Sequence, residues 1–230
     1  MTFKQIIWRT LLGFFVLFLL YQLWIFLHIC WWVNHNPAST AFMADRLEIL
    51  QEKDPKAELQ HKWVEYKKIS PYLKRAIIAS EDPKFTYHQG FDWDAIEYAY
   101  HRNMEKGKVV LGASTISQQL AKNLFLSSQR TPWRKVEEAI ITVMLEATMT
   151  KRRMFEIYLN VIEWGNGVFG AEAAAQHYYH TSASNLSQQQ AARMAAMVPG
   201  PRYFDAHRKS NYLARRTNTI IARMPPAKIP

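Results

Sequence analysis

The longest apolar stretch of the chain lies near its N-terminus. From Leu11 to Val33 only Gln22 and His28 interrupt a run of aliphatic and aromatic residues, and this run reaches the roughly 20 residues that a helix needs to cross a bilayer. Lys and Arg residues precede the run, and none follows it before Arg46. The positive-inside rule therefore places the N-terminus in the cytoplasm and the rest of the chain outside. A cleaved signal peptide is the alternative, but the apolar run is too long for one and no convincing small-residue cleavage site follows it.

After this segment the pattern becomes polar and then helical. Residues 34–60 are polar and contain Asn-Pro and Asp-Pro pairs, which predicts a connector with one short helix over 41–51. A short strand is predicted over 61–68. Apolar residues then recur at helical spacing, and a Ser-Pro start predicts a helix from residue 70. Further helices are predicted over 92–106, 115–125, 132–149, 151–161, 171–179, 188–197 and 208–223.

The pattern thus divides the chain into four parts. We expect a cytoplasmic tail over residues 1–10, a transmembrane helix over 11–33, a connector over 34–60 and one mostly α domain over 61–230. The only cysteine, Cys30, lies inside the apolar segment, so the outer domain has no disulfide and must be held by its core.

The charge indicates an anionic partner. The formal net charge is +10 and falls almost entirely on the outer domain, which favours lipid headgroups, phosphates or nucleic acid. Because the domain is expected outside the cytoplasm, nucleic acid is the least expected of these partners. The sequence has no Cys/His spacing typical of zinc sites, no glycine-rich nucleotide loop and no internal repeat.

A carboxylate occurs where an apolar helix must end. Glu81 and Asp82 follow the apolar run 70–79, and Pro83 forces Asp82 out of helical geometry. Glu81 is therefore expected at the edge of a buried region, where partial loss of solvent raises the pKa of a carboxyl group and suits it to proton abstraction. Two acids that cap a surface loop are the alternative interpretation.

A second segment, Gly112–Asn123, combines hydrogen-bonding residues without an acid. On a helix, Thr115, Gln118, Gln119 and Lys122 share one face. Uncharged polar groups that end in one cation suit a sugar leading to a phosphate, although an ordinary solvated helix face remains the alternative.

Cations follow this segment. Arg130, Arg134 and Lys135 come next, with Glu137 and Glu138 one turn later. Together with Lys122 they could collect a diphosphate, because Arg gives bidentate contacts and Lys a point charge. Taken one by one, they are equally compatible with surface charges.

Together these segments resemble the peptidoglycan glycosyltransferases, the family that includes the transglycosylase domains of penicillin-binding proteins and their monofunctional relatives. The correspondence covers nearly everything from Asn36 to Met224. Four family motifs occur in order and with the family's spacing, at residues 81–90, 112–123, 134–138 and 151–160. No Ser-x-x-Lys or Lys-Thr-Gly motif follows, so the resemblance is to monofunctional members that lack the transpeptidase half.

The resemblance implies polymerisation of lipid II into β-1,4 glycan strands, by a single displacement with inversion that releases undecaprenyl diphosphate. It assigns Glu81 as the base and Glu138 as the second essential glutamate, whose role the sequence leaves open. A diphosphate leaves as a stable anion, so positive charge replaces the acid that glycoside hydrolysis requires. The substrate-binding residues it implies are Asp82, His88, Ser114, Thr115, Gln118, Gln119, Lys122, Asn123, Arg130, Arg134 and Lys135.

Other residues and cofactors follow less directly. Glu156 and Asn160 are interpreted as structural, with Glu156 able to pair with Arg152 one turn away. Whether a divalent cation, Mg²⁺ or Mn²⁺, binds at the diphosphate is left open by the sequence, and its ligands are unknown. No organic cofactor is expected.

The family's fold is lysozyme-like, mostly helical and two-lobed, here behind a single N-terminal transmembrane helix. The expected location is the bacterial inner membrane, with the catalytic domain in the periplasm. Expected partners are lipid II, the growing strand and the membrane, with cell-division proteins as further candidates; inhibition by moenomycin is expected as well. A lysozyme-like lytic muramidase and a catalytically silent, membrane-anchored cell-wall scaffold are the alternative functions.

Overall fold

The computed structural model describes residues 2–128 and 131–230, and it is mostly helical as predicted. The first helix, α1, spans Phe3–Trp32 and has a mean hydropathy of 2.2 over its most apolar 18 residues. It begins eight residues before the predicted span, because no helix breaker separates Phe3 from Leu11 and the side chain of Gln5 accepts a hydrogen bond from the backbone N–H of Thr2. Most of the predicted tail is therefore part of α1.

Ten further helices follow α1 among the described residues. They are α2 Ala41–Gln51, α3 Pro71–Glu81, α4 Trp93–Lys106, α5 Ile116–Phe125, α6 Pro132–Thr148, α7 Lys151–Val161, α8 Ala171–Tyr179, α9 Gln188–Met197, α10 Pro201–Ala206 and α11 Asn211–Arg223.

The starts that the sequence indicated for the helices after α1 are confirmed to within one residue, except that α11 begins at Asn211 and not at residue 208. The side chains of Thr115, Thr131, Thr150 and Ser187 each accept a hydrogen bond from a backbone N–H of the first turn, which satisfies donors that a helix cannot pair internally. The short helix α10 was not predicted, since its six residues are too few to show a period.

A small three-stranded sheet was also missed. It consists of β1 Gln60–His61, β2 Glu163–Gly165 and β3 Val168–Phe169, in the order β1-β3-β2. Strand β3 is parallel to β1 and antiparallel to β2.

The prediction of a strand over 61–68 was wrong beyond His61, and Tyr66–Lys68 forms a single 3₁₀ turn. The side-chain carbonyl of Asn160 accepts from the backbone of Val64 at 2.8 Å, and Glu156 accepts from the backbone of Tyr66 at 2.9 Å. Side chains of α7 thus take the backbone bonds that a neighbouring strand would have taken.

The core lies where the helices converge. Helix α9 packs against both α3 and α11, and α5 packs against α6 and α7. The aromatic rings of Phe85 and Phe155, 5.6 Å apart, are fully buried. Ile25 and Ile29 of α1 are also fully buried in this core, so the C-terminal part of α1 is packed against the domain.

Candidate functional site

Helix α3 places a carboxylate at the edge of the core. Ser70 caps its start by accepting from the backbone of Tyr72, and Pro71 occupies the first turn. The helix ends at Glu81, because Asp82 adopts φ −159° and ψ 78° ahead of Pro83. The side chain of Glu81 is only 10 % exposed, which confirms that this carboxylate lies at the edge of a buried region.

Three polar side chains contact the carboxylate of Glu81. The amide nitrogen of Gln119 donates to its Oε2 at 3.2 Å, and the hydroxyl of Ser80 donates to its Oε1 at 3.1 Å. The guanidinium of Arg216 lies 3.7 Å from Oε1 and donates to the hydroxyl of Ser80 at 3.3 Å. Burial raises the pKa of Glu81 above its ordinary value, and the hydrogen bonds from Gln119 and Ser80 and the charge of Arg216 oppose this rise only in part.

Helix α7 holds Gln119 in place. The hydroxyl of Tyr158, which is fully buried, donates to the side-chain oxygen of Gln119 at 2.9 Å. This bond leaves the amide nitrogen of Gln119 directed at Glu81. The side-chain amide of Asn123 donates to the backbone carbonyl of Gln119 at 2.7 Å, so the helix turn behind Gln119 is braced as well.

A group of charges lies on the first turns of α6. The carboxylate of Glu138, 5 % exposed, pairs with Arg134 at 3.3 Å and with Lys135. Lys135 also donates to the hydroxyl of Ser114 at 3.2 Å. Two cations around one carboxylate leave a net positive charge at this wall, which suits an anion such as a phosphate.

Residues of both groups line one cleft of about 480 Å³. Eight of the predicted site residues line it, namely Glu81, Ser114, Gln119, Lys122, Asn123, Arg134, Lys135 and Glu138. The buried carboxylate of Glu81, whose pKa is raised, thus shares a cavity with the predicted cations Lys122, Arg134 and Lys135. This arrangement can take a proton from a hydroxyl group while the cations stabilise a leaving anion.

Four predicted residues lie elsewhere. Asp82 is 3 % exposed and accepts from the backbone of Ile116 at 2.9 Å and from the ring of His88 at 3.0 Å. It braces the start of α5, and His88 lines a different pocket of the domain. Thr115 and Gln118 cap α5 reciprocally and are buried.

The helix face predicted for residues 115–122 therefore divides, because its N-terminal part is used for capping and only Gln119 and Lys122 reach the cleft. Arg130, also predicted to bind substrate, lies outside the described residues.

The sequence did not single out several residues in and around the cleft. Arg216, which contacts Glu81, lies 135 positions from it, in α11, and no local pattern connects them. The far end of the cleft includes Phe42, Glu163 and Arg202. Glu163 pairs with Arg46 at 3.1 Å and with Arg202 at 3.6 Å. In the sequence, only the Glu-Trp-Gly run at residues 163–165, directly after α7, could have pointed to this end of the cleft.

Glu156 and Asn160 are structural, as interpreted, but the partner of Glu156 was predicted wrongly. Its carboxylate pairs with Arg153 at 2.8 Å, and Arg152 instead lies over the ring of Tyr66. The side chain of Asn160 is fully buried and bonds both backbone groups of Val64.

Comparison with known proteins gives consistent matches. A family model described as transglycosylase matches residues 47–225. The chain is 64 % identical over 227 residues to a biosynthetic peptidoglycan transglycosylase of Methylobacillus flagellatus, which covers 99 % of each chain. It is 61 % identical over 227 residues to one of Chromobacterium violaceum, with 99 % of this chain and all of the relative covered. A relative from Nitrosospira multiformis with the same description is 59 % identical over 230 residues, the full length of both chains.

Proposed function

The chain belongs to the transglycosylase family, and from this membership we propose that Glu81 is the general base with which it joins lipid II units in the cleft. It is a peptidoglycan glycosyltransferase, which polymerises glycan strands from lipid II. The observation that carries the proposed mechanism is the cleft itself, because the buried carboxylate of Glu81 lines the same cavity as Lys122, Arg134 and Lys135.

The proposed reaction is a single displacement. The 4-hydroxyl oxygen of the acceptor sugar attacks C1 of the donor sugar, and its proton passes to the carboxylate of Glu81. The bond from C1 to the diphosphate oxygen breaks, and the diphosphate leaves with the electron pair. Attack from the opposite face converts an α linkage into a β linkage.

The surroundings of Glu81 support its role as the base. Its burial raises its pKa, so the carboxylate is a stronger proton acceptor than a solvated one. The amide of Gln119, oriented by Tyr158, fixes the carboxylate in the cleft. General base catalysis of this kind contributes about 100-fold to 10,000-fold.

The cations support the second half of the reaction. Lys122, Arg134 and Lys135 line the cleft, where they would bind the donor diphosphate and stabilise the charge that builds on it. Glu138 is proposed to orient two of them, since its carboxylate pairs with both Arg134 and Lys135.

The side chains do not fit a protein-held divalent cation. Among residues 2–128 and 131–230 no group of three or more His, Cys, Asp or Glu side chains could hold a metal ion. Both oxygens of Glu138 already face cations, which would repel Mg²⁺ or Mn²⁺. Charge neutralisation is therefore assigned to the cationic side chains of the cleft.

Helix α1 is proposed to stay attached as a single-pass anchor in the inner membrane, with the domain in the periplasm. Its length and hydropathy are compatible with an anchor or a signal sequence. Retention is supported by the burial of Ile25 and Ile29 in the core and by two hydrogen bonds from Arg153 to the backbone oxygens of Trp32 and His35. The apparent mass of the membrane-bound protein tests this, because cleavage would remove about 3 kDa or more.

The assignment of the base is tested with labelled lipid II and the full-length protein in vesicles. Glu81→Gln keeps the shape of the side chain and removes its basicity, so we expect polymerisation to fall at least 100-fold. The control, Glu97→Gln, changes an exposed carboxylate of α4 that is 76 % solvent-accessible, and we expect it to polymerise like the wild type. Full activity of Glu81→Gln would show that the base is another group.

A further inference from the structure

A buried polar contact joins the anchor helix to the helix that carries Glu138. The side-chain nitrogen of Gln22 donates to Oε1 of Glu137 at 2.8 Å, across 115 positions of sequence. Gln22 is 8 % exposed and Glu137 is 4 % exposed. The contact is therefore formed in a nearly dry environment, where each group would be costly without the other.

A hydrogen bond from Arg153 to the backbone oxygen of Trp32 holds the end of α1, but the aromatic contacts near Gln22 do not fix the rotation of the helix. The rings of Phe18 and Trp133 are 6.5 Å apart, and Trp24 lies 6.3 Å from Phe125. Apolar surfaces of this kind can slide or rotate at little cost, whereas one buried polar pair selects a single register. Gln22 is also one of two residues, with His28, that interrupt the apolar run 11–33, a position where a polar residue most often has a function.

Glu137 is the immediate neighbour of Glu138. Successive residues of an α-helix are about 100° apart around its axis, so Glu137 faces the anchor helix while Glu138 faces the cleft. Arg134 lies one turn earlier and lines both the cleft and a groove beside Tyr21 of α1. A rotation of α6 would therefore move Glu138 and its two cations together.

We propose that Gln22 is a positioning residue, whose hydrogen bond to Glu137 fixes the rotation and depth of α6 against the anchor helix and so holds Glu138 with its cations at the cleft. This inference rests on the proposed role of the cleft. Helix α1 is then part of the machinery that aligns the donor diphosphate, in addition to its role as a tether.

The test uses the full-length protein in lipid vesicles and measures kcat and KM for lipid II. Gln22→Leu keeps the size and raises the hydropathy of α1, but it leaves Glu137 buried without its donor. Misplacement of the cations acts on the developing charge of the leaving group, so we expect kcat to fall about tenfold, the effect of losing one hydrogen bond to a charged group. The matched control is Leu23→Ala on the exposed face of α1, for which we expect wild-type kinetics.

A reciprocal exchange separates positioning from general stability. Gln22→Glu combined with Glu137→Gln keeps one amide and one carboxylate in contact. The amide, now on α6, donates to the carboxylate, now on α1. We expect this double variant to recover kcat to within about threefold of the wild type, whereas Gln22→Leu stays low at temperatures where its domain is still folded. Wild-type kcat in Gln22→Leu, or a double variant no better than Gln22→Leu, would overturn the proposal.

Glu81→Gln, measured in the same vesicles, distinguishes failure of the positioning role of Gln22 from failure of the proposed role of the cleft. If Glu81→Gln is inactive while Gln22→Leu behaves like the wild type, only the positioning role fails. If Glu81→Gln polymerises normally, the proposed role of the cleft fails with it.

Discussion

The contact between Arg216 and Glu81 predicts a specific change in the pH dependence of polymerisation. Arg216→Met removes a positive charge 3.7 Å from Oε1 of Glu81. Two unit charges at about this distance attract by roughly 1 kcal/mol in water and about 4 kcal/mol at the effective permittivity of a protein surface. Because the side chain of Arg216 is 30 % exposed, we use the lower figure, which corresponds to about a fivefold effect.

The sign follows from the form that the base must have. Glu81 accepts a proton only when it is ionised, and Arg216 favours the ionised form. Its removal raises the pKa of Glu81 further, so the acidic limb of kcat/KM should move to higher pH. On that limb we expect Arg216→Met to be about fivefold slower than the wild type, with a smaller difference on the alkaline side.

Two variants serve as controls. Arg216→Lys keeps a positive charge near the carboxylate and should retain most of the wild-type profile. Arg215→Met removes a charge from the exposed neighbouring position and should leave the limb in place. An acidic limb that lies at the same pH in Arg216→Met, Arg216→Lys and the wild type would refute the electrostatic reasoning. Initial rates of labelled lipid II polymerisation across the pH range provide the measurement.

Two further predictions concern stability, measured by denaturant unfolding in detergent. Asn160→Leu leaves both backbone groups of Val64 buried without a partner and should destabilise the domain by about 3 kcal/mol or more, while the exposed Asn218→Leu should change stability by less than about 0.5 kcal/mol. Gly170→Ala should cost about 2 kcal/mol or more, because φ is +82° and the new Cβ would lie 2.8 Å from the carbonyl oxygen of residue 160; Gly112→Ala, with no atom within 4 Å of its Cβ, should be nearly neutral. Equal stabilities within either pair would contradict the packing argument.

Much of the local structure could be predicted from the sequence. Capping residues and apolar periodicity located nearly all the helices, because each helix end depends on residues within about four positions of it. The strands were beyond this kind of prediction. Strand β1 pairs with β3, more than 100 positions away, and neither strand is long enough to show alternation.

The motifs located the site, but spacing on a helix did not determine which side chains reach it. Thr115, Gln118 and Gln119 were predicted on one face, yet only Gln119 lines the cleft. The hydroxyl of Thr115 donates to the backbone carbonyl of Gly90 at 2.6 Å. The loop that contains Gly90 therefore packs on the start of α5 and buries the side chain of Thr115. Asp82 was similarly assigned to substrate but is bonded to the start of α5.

The sequence by itself therefore determined the long apolar segment near the N-terminus, nearly all the helices and the family, since each depends on residues that are close together in the chain, and it predicted Glu81 as the base. Only the tertiary structure decided that Arg216 faces Glu81, that Glu163 lies between two arginines and that Gln22 meets Glu137. Helical periodicity specifies which residues share a face. What packs against that face depends on how distant helices meet, and that is set by the burial of the whole core.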